Sequence, residues 1–247
     1  MSLTDLALLL LAGFGAGLIG YITGLASVVS YPALLAVGLP PIAANVTNTV
    51  ALVAVGVGST AQSGRVLLDG DRRRLIVGVI AALVGGTVGA ALLLVTPAEA
   101  FEAIVPFLVA IAAIALLIQP VLRRWATGRV EHPAVFLLGL FLICIYGGYF
   151  GAGAGIMILA LMLVVTSEPL WRAALSKSLF LGIANAIAAV GFMIFGPVHW
   201  WAALAMAIGC LAGGWCGPPV VKRLPAEPLR IVVGLCGLGL AVWLAVG

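Results

Sequence analysis

The sequence predicts an all-α polytopic membrane protein made of two inverted repeats. First, 64% of the 247 residues are apolar, and only 12 are basic and 8 acidic. A soluble domain carries charge on about a quarter of its residues. Second, the apolar runs continue over the roughly 20 residues that a lipid-spanning helix requires. Third, the second half of the chain repeats glycine and proline patterns of the first half.

Charges, prolines and glycines divide the chain into eight apolar stretches. They cover residues 4–38, 42–62, 75–95, 100–119, 134–166, 170–195, 199–221 and 229–247. A helix over 4–38 would be about 50 Å long, against a hydrocarbon layer of about 30 Å. Glycines part way along the first and fifth stretches therefore predict a full crossing followed by a short segment, at 25–38 and 153–166. The prediction is eight main transmembrane helices plus two short or broken segments, about ten passes in total.

An internal repeat links the two halves. The motif Gly-Gly-x-x-Gly followed by Pro-Ala-Glu occupies residues 85–99 and recurs, without a gap, at 213–227. This coincidence predicts a tandem duplication. The predicted organisation is a first membrane repeat over 1–122, a cytoplasmic linker over 123–133 and a second membrane repeat over 134–247.

The positive charges predict the orientation. If the short segments cross the membrane, each half has five passes and the second half is inverted. Three basic groups then lie on one side, which the positive-inside rule makes cytoplasmic. They are Arg65 with Arg72, Arg73 and Arg74; Arg123, Arg124 and Arg129; and Lys222, Arg223 and Arg230. Four passes per half would place Lys222 and Arg223 outside. The charges favour five plus five passes in the cytoplasmic (inner) membrane.

Both halves carry a glycine-rich segment at the corresponding place, over 20–24 and 147–155. In transporters with inverted repeats, such interruptions leave helix ends and bare backbone groups at mid-membrane, where a substrate binds. The alternative is close helix packing, because Gly20 and Gly24, and Gly151 and Gly155, have the GxxxG spacing. The sequence leaves both interpretations open.

Polar residues form a stripe on the helix predicted after Pro41. Its members are Asn45, Asn48, Thr49, Ser59, Gln62 and Ser63. Such a stripe must face protein or water, because unsatisfied amides are costly in lipid. Hydrogen bonding between helices is one explanation. A substrate path is the other, since two of the asparagines lie one turn apart beside a glycine-rich segment.

The corresponding helix of the second half carries a positive charge. Lys177 lies between Ser176 and Ser178, with Asn185 on a neighbouring face. It is eight residues beyond Pro169, about 12 Å of helix rise. The side chain could snorkel to the interface, but charges inside a membrane usually serve a function. An ammonium beside hydroxyls and amides suits an anion.

The sequence lacks the motifs of metal sites, nucleotide-binding sites and cysteine-based sites. The sequence has no HExxH, no GxxxxGK[ST] and no CxxC pair among its four cysteines, so no metal site and no cofactor are predicted. Ser176 and Lys177 would point about 100° apart on a helix, which argues against a nucleophile–base pair and an enzyme. The net charge of +4 is scattered and forms no basic face, so no nucleic acid is expected as a partner.

At these residues the sequence resembles the TauE/SafE sulfite exporter family, also called TSUP. The family's glycines, proline and Ala-x-x-Thr-Asn are similar to residues 17–32 followed by 44–48. Its second-half pattern is similar to 148–155 followed by 176–178, and its Gly-x-Val-x-Trp turn to 196–200. The segment 20–25 departs from the pattern in having fewer glycines. The resemblance implies export of sulfite or organosulfonates, or transport of related small anions.

The sequence thus predicts a secondary transporter for a small anion that works by alternating access in the lipid bilayer. The predicted substrate-binding residues are Lys177, Ser176, Ser178, Asn45, Thr47 and Asn48, with backbone groups near Gly24 and Gly153. Alternatives are an anion channel, a transporter of another small anion such as bicarbonate, and, with less support, a membrane-embedded enzyme. A homodimer and coupling to protons or sodium ions are both compatible with the sequence.

Overall fold

The computed structural model describes residues 1–23, 26–53, 72–125, 132–221 and 226–246. These residues form ten α-helices and no β-strand, which confirms the all-α class. The helices are α1 (Leu3–Thr23), α2 (Ser27–Ala36), α3 (Pro41–Val53), α4 (Arg72–Val95), α5 (Ala98–Trp125), α6 (Pro133–Tyr149), α7 (Ala154–Val165), α8 (Leu170–Phe195), α9 (Trp200–Val221) and α10 (Ala226–Val246).

Four of these helices are long and apolar enough to cross a membrane, by length and composition. The candidate spans are Leu3–Gly20, Arg72–Val95, Ala98–Ile118 and Trp171–Phe195. The chain is therefore a multi-pass membrane protein. The two predicted short segments correspond to the ten-residue α2 and the twelve-residue α7. The total number of crossings, and the inversion of the second half, stay predictions.

Glycines hold the two most extensively packed helix pairs together at backbone distance. On α4, Gly85 and Gly89 lie against the carbonyl oxygens of Phe141 and Ile145 on α6. On α1, Gly13 and Gly17 lie in the same way against Met206 and Cys210 on α9. Lipid tails are as apolar as leucine, so helices in a bilayer associate through close packing of small residues. Part of the repeated Gly-Gly-x-x-Gly motif therefore serves helix packing.

Contacts between helices follow the predicted repeat. If α1–α5 correspond in order to α6–α10, the packing of α1 on α9 has its counterpart in that of α6 on α4. Likewise α1 contacts α2 as α6 contacts α7, and α5 packs on α10. The two halves are thus interleaved. The predicted repeat boundaries stay predictions, with α5 ending at Trp125 and α6 beginning at Pro133.

The surface is that of a protein in lipid. Large apolar side chains are exposed along the helices, as in Leu11 at 69% and Phe107 at 69%, where a soluble protein would avoid contiguous apolar patches. Exposed tryptophans lie near helix ends, at Trp171 on α8, Trp200 on α9 and Trp243 on α10. Tryptophan is enriched at this level because its amphipathic ring suits the boundary between lipid and water.

We expect Gly213→Ala to destabilise the protein, because the added methyl would meet the backbone of Phe14 and Leu18 on α1. Overpacking of this kind costs about 1–3 kcal/mol. Gly214→Ala is the matched control, since nothing lies within 4 Å of its added Cβ. The measurement is the thermal unfolding temperature of the purified protein in detergent. Equal unfolding temperatures for the two variants would contradict the packing described here.

Candidate substrate site

The second glycine-rich segment is a true break between two helices. Helix α6 ends at Tyr149 and α7 begins at Ala154. Between them, Gly151 and Gly153 have φ angles of +83° and +79°. Side chains with a Cβ rarely adopt this left-handed conformation, so glycine is required at both positions. Gly153 also lies close to α5, where an added Cβ would be 3.0 Å from the Cα of Ala112.

Hydrogen bonds order this α6–α7 break. The Tyr146 hydroxyl donates to the Ala152 carbonyl at 2.6 Å. The backbone N–H groups of Phe150 and Gly151 both donate to the Tyr146 carbonyl, at 2.9 and 3.1 Å. The buried ring of Phe150 packs edge-on against Tyr31 of α2, with 5.3 Å between centroids. The break is therefore an ordered segment whose backbone and side chains have specific partners.

The polar faces of α3 and α8 both reach the α6–α7 break. The Asn45 amide nitrogen donates to the Tyr149 carbonyl at 2.8 Å. On α8, Asn185 Oδ1 lies 3.9 Å from the point that a Cβ on Gly151 would occupy. The sequence pattern singled out both asparagines, and the structure brings them to the same backbone segment from the two halves of the chain.

Other predicted residues of α3 serve contacts between helices. Asn48 Oδ1 accepts a short hydrogen bond from the Ser30 hydroxyl of α2. The Thr47 hydroxyl accepts from the His199 backbone N–H at 3.0 Å, just before α9. Asn48 and Thr47 are 1% and 0% exposed. The interhelical alternative for the stripe therefore describes Asn48, and Thr47 outside the stripe makes a contact of the same kind, while Asn45 belongs to the break.

Lys177 belongs to the face of α8 that is buried in the bundle. Its neighbours at helical spacing, Ala173, Phe180 and Ala184, are 0%, 2% and 0% exposed. Gly78 and Gly86 of α4 lie against Phe180 and Ala184. The ion pairs found among the described residues join Glu168 to Arg74 and to Arg172, and do not include Lys177. Lys177, itself half-buried, thus belongs to an inward-facing stripe of α8.

The serines beside Lys177 differ in their surroundings. Ser176 is buried, with 7% of its surface exposed. The Ser178 hydroxyl donates to the Ala174 carbonyl of its own helix at 3.0 Å, which is the common way for a serine to satisfy itself within a helix. Ser178 still has lone pairs with which it can accept a further hydrogen bond.

The predicted residues form two groups at different depths. Val46 of α3 lies against Gly196 at the end of α8, and Lys177 is 19 positions earlier on that helix, about 28 Å of rise. Among the described residues, no hydrogen bond joins Lys177 to α3. Lys177 is nearer Asn185, two helical turns away, or about 12 Å. Gly24, Ser59, Gln62 and Ser63 lie outside the described residues.

The sequence pattern did not single out three hydroxyl residues at or near the break, which are Ser30 and Tyr31 on α2 and Tyr146 on α6. Tyr31 and Tyr146 contact the break itself, and Ser30 bonds to Asn48 of α3. The signal that could have found them is a hydroxyl side chain inside an apolar run, which needs a partner in lipid. Within the described ranges, no three His, Cys, Asp or Glu side chains lie close enough to hold a metal ion.

The fold is that of a helical multi-pass membrane protein, and comparison with known proteins identifies the family. The family described as sulfite exporter TauE/SafE matches residues 9–244. The chain therefore belongs to the TauE/SafE family, as the sequence motifs predicted, and is a membrane transporter protein of that family.

Two relatives named as probable membrane transporter proteins match this chain over most of their length. The probable membrane transporter protein ORF9 of Sinorhizobium sp is 29% identical over 243 residues, which cover 96% of this chain and 91% of the relative. A probable membrane transporter protein of Haemophilus influenzae is 26% identical over 233 residues, which cover 92% and 89% of the two chains. The likeness thus extends over both halves.

We expect Tyr146→Phe to weaken the α6–α7 break, because it removes the hydroxyl that donates to the Ala152 carbonyl at 2.6 Å. Leaving a buried carbonyl without its donor costs about 1–3 kcal/mol. Tyr149→Phe is the matched control, since the Tyr149 hydroxyl lies 3.5 Å from that of Thr96, the outer limit of a hydrogen bond. Thermal unfolding in detergent should show the larger loss for Tyr146→Phe, and the reverse order would be inconsistent with this role.

Proposed function

We propose that this transporter exports a small anion, sulfite or an organosulfonate, across the cytoplasmic membrane by alternating access. The observation that carries the proposal is the α6–α7 break, where a helix begins inside the bundle beside polar groups from both halves. The family supplies the substrate class. The geometry of the described residues supplies the reasons for expecting an anion.

The start of α7 favours negative charge. The first N–H groups of a helix lack acceptors within the helix and carry a partial positive charge. Gly153, the residue before α7, provides no side chain to cap them. The Ala154 and Ile156 N–H groups pair with the carbonyls of Gly151 and Gly153, at 3.3 and 3.0 Å, so the partial charge of the helix start is the main attraction. The α7 residues Ala154 and Gly155 are buried, so water screens this field less than at a surface. A helix start in such a place is suited to bind an anion.

Lys177 adds a full positive charge to the same bundle. It lies on the inward stripe of α8, two turns from Asn185, and its helix begins near the ion pairs of Glu168. Lys177 is half-buried, and no ion pair joins it to a carboxylate of the described residues. Such an ammonium favours an anion as its partner. In this mechanism Lys177 attracts the anion toward the break, which Asn185 and Asn45 approach with their amide groups.

The helix directions support inverted repeats. Gly85 and Gly89 of α4 meet Phe141 and Ile145 of α6 in the same order, so α4 and α6 run parallel. With five alternating passes per half, α4 runs opposite to α1, so α6, the first helix of the second half, is also opposite to α1. Two oppositely inserted halves that share a central site can expose that site to each side in turn by rocking.

The Arg74, Glu168 and Arg172 cluster supports the orientation. Glu168 lies 3.9 Å from Arg74 and 3.4 Å from Arg172, just outside the start of α8. Arg72, Arg73 and Arg74 begin α4 at the same end of the bundle. The positive-inside rule makes this the cytoplasmic end. The anion would enter there in export, toward Lys177.

We expect Lys177→Met to abolish anion transport while leaving the protein folded in the membrane, because the charge is lost and the apolar stem is retained. The measurement is counterflow in proteoliposomes with sulfite, sulfonates, bicarbonate and sulfate. Lys177→Arg should keep part of the activity, since it keeps the charge. Arg172→Met is the matched control, because Glu168 still has Arg74 nearby, and should transport at near wild-type rates.

Unchanged transport by Lys177→Met would remove the ammonium from the mechanism. Flux that does not saturate as the anion concentration rises would favour the channel over alternating access. Transport of bicarbonate with no response to sulfite or sulfonates would overturn the substrate class while leaving the transporter itself in place.

A further inference from the structure

Two polar atoms near the α6–α7 break have no hydrogen-bond partner in the described part of the chain: the Tyr31 hydroxyl and Asn45 Oδ1. Their residues are 2% and 1% exposed. Buried polar groups are nearly always paired, and leaving one unpaired costs free energy. Two such atoms beside one helix break point to a ligand that completes them.

The unpaired atom of Asn45 is an acceptor. Its other amide atom lies 2.8 Å from the Tyr149 carbonyl, which can only accept a hydrogen bond. The atom that faces this carbonyl must therefore be the NH₂ group, and the atom left over is the oxygen. Asn45 Oδ1 can pair only with a donor, and an anion's charged oxygens do not supply one.

Tyr31, the residue with the unpaired hydroxyl, contacts the next residue of the same segment. Tyr31 packs its ring edge-on against Phe150, the residue after the carbonyl that Asn45 holds. The neighbouring Ser30 hydroxyl bonds to Asn48, one helical turn beyond Asn45. This bond links α2 to α3, and Tyr31 and Asn45 contact the adjacent residues Phe150 and Tyr149. The Tyr31 hydroxyl can donate to an anionic oxygen.

We propose that Tyr31 and Asn45 select an anion that also carries a hydrogen-bond donor. The Tyr31 hydroxyl donates to an oxygen of the anionic group, and Asn45 Oδ1 accepts from a hydroxyl or amino group of the same molecule. The substrate class is a small sulfonate with such a substituent. This inference rests on the proposed function and adds to it a donor requirement and a new specificity-determining residue, Tyr31.

A pair of probes isolates the donor. 2-Hydroxyethanesulfonate and propane-1-sulfonate have nearly the same size and charge, and they differ in a terminal hydroxyl against a methyl group. Sites built to hydrogen-bond a substrate hydroxyl discriminate against analogues that lack it, because a buried polar group is then left unpaired. We expect purified wild-type protein to bind 2-hydroxyethanesulfonate at least about tenfold more tightly by calorimetric titration.

Two variants separate the roles of the residues. Asn45→Leu should bring the ratio of the two Kd values to within about twofold, because no acceptor remains to read the hydroxyl. Tyr31→Phe should weaken both anions by about tenfold and leave the ratio unchanged, since it removes a donor to the charged group that both share. Thr87→Ala, on the exposed face of α4, is the control and should behave as wild type.

Each outcome decides the matter. Equal wild-type affinity for the two probes overturns the donor requirement but leaves anion transport intact. Binding of neither probe also overturns this inference, while sulfite counterflow tests the proposed function separately. A Tyr31→Phe variant with wild-type affinities removes Tyr31 from the site. If Asn45→Leu does not fold, because it also loses the bond to Tyr149, the wild-type ratio and Tyr31→Phe still test the inference.

Discussion

Backbone polar groups inside a bilayer must find partners within the protein, and this constraint governs the α6–α7 break. A continuous helix satisfies its own N–H and C=O groups, but Phe150 to Gly153 leave that pattern. Their partners come from the backbone and from side chains. The Phe150 and Gly151 N–H groups donate to the Tyr146 carbonyl, the Tyr146 hydroxyl donates to the Ala152 carbonyl, and Asn45 donates to the adjacent carbonyl of Tyr149. The break can exist only where α3 and α6 meet, so the position of the site depends on how these helices pack.

Glycine packing produces that arrangement. Because α4 lies at backbone distance from α6, and α1 from α9, the two halves interleave. The first half thereby supplies α2 and α3 to a break that belongs to the second half. Small residues perform this function in membranes because the hydrophobic effect does not drive helices together there. The glycines of α4 and α9 therefore serve helix packing, and this packing brings α2 and α3 to the break.

The polar groups of the proposed path lie at different depths. Lys177 lies two turns from Asn185 along α8, and the Asn45 to Asn48 segment lies near the other end of that helix. A charge near one entrance and neutral donors and acceptors near the break would draw an anion inward without holding it too tightly to leave. The proposed transporter therefore divides attraction and recognition between separate residues.

The sequence by itself determined the helical class, the two short segments and the asparagines at the break, since apolar run length, glycine spacing and polar residues in apolar surroundings are local properties. It also determined the family, through the motifs at 44–48 and 148–155. Only the tertiary structure decided that Tyr31 and Tyr146 belong to the break, and that Lys177 stands apart from Asn45. The depth of a residue in the bundle depends on the end of the bundle at which its helix begins and on the helices against which that helix packs. Residues that look equivalent along the chain, such as Asn48 and Lys177, therefore lie at different levels of the folded protein.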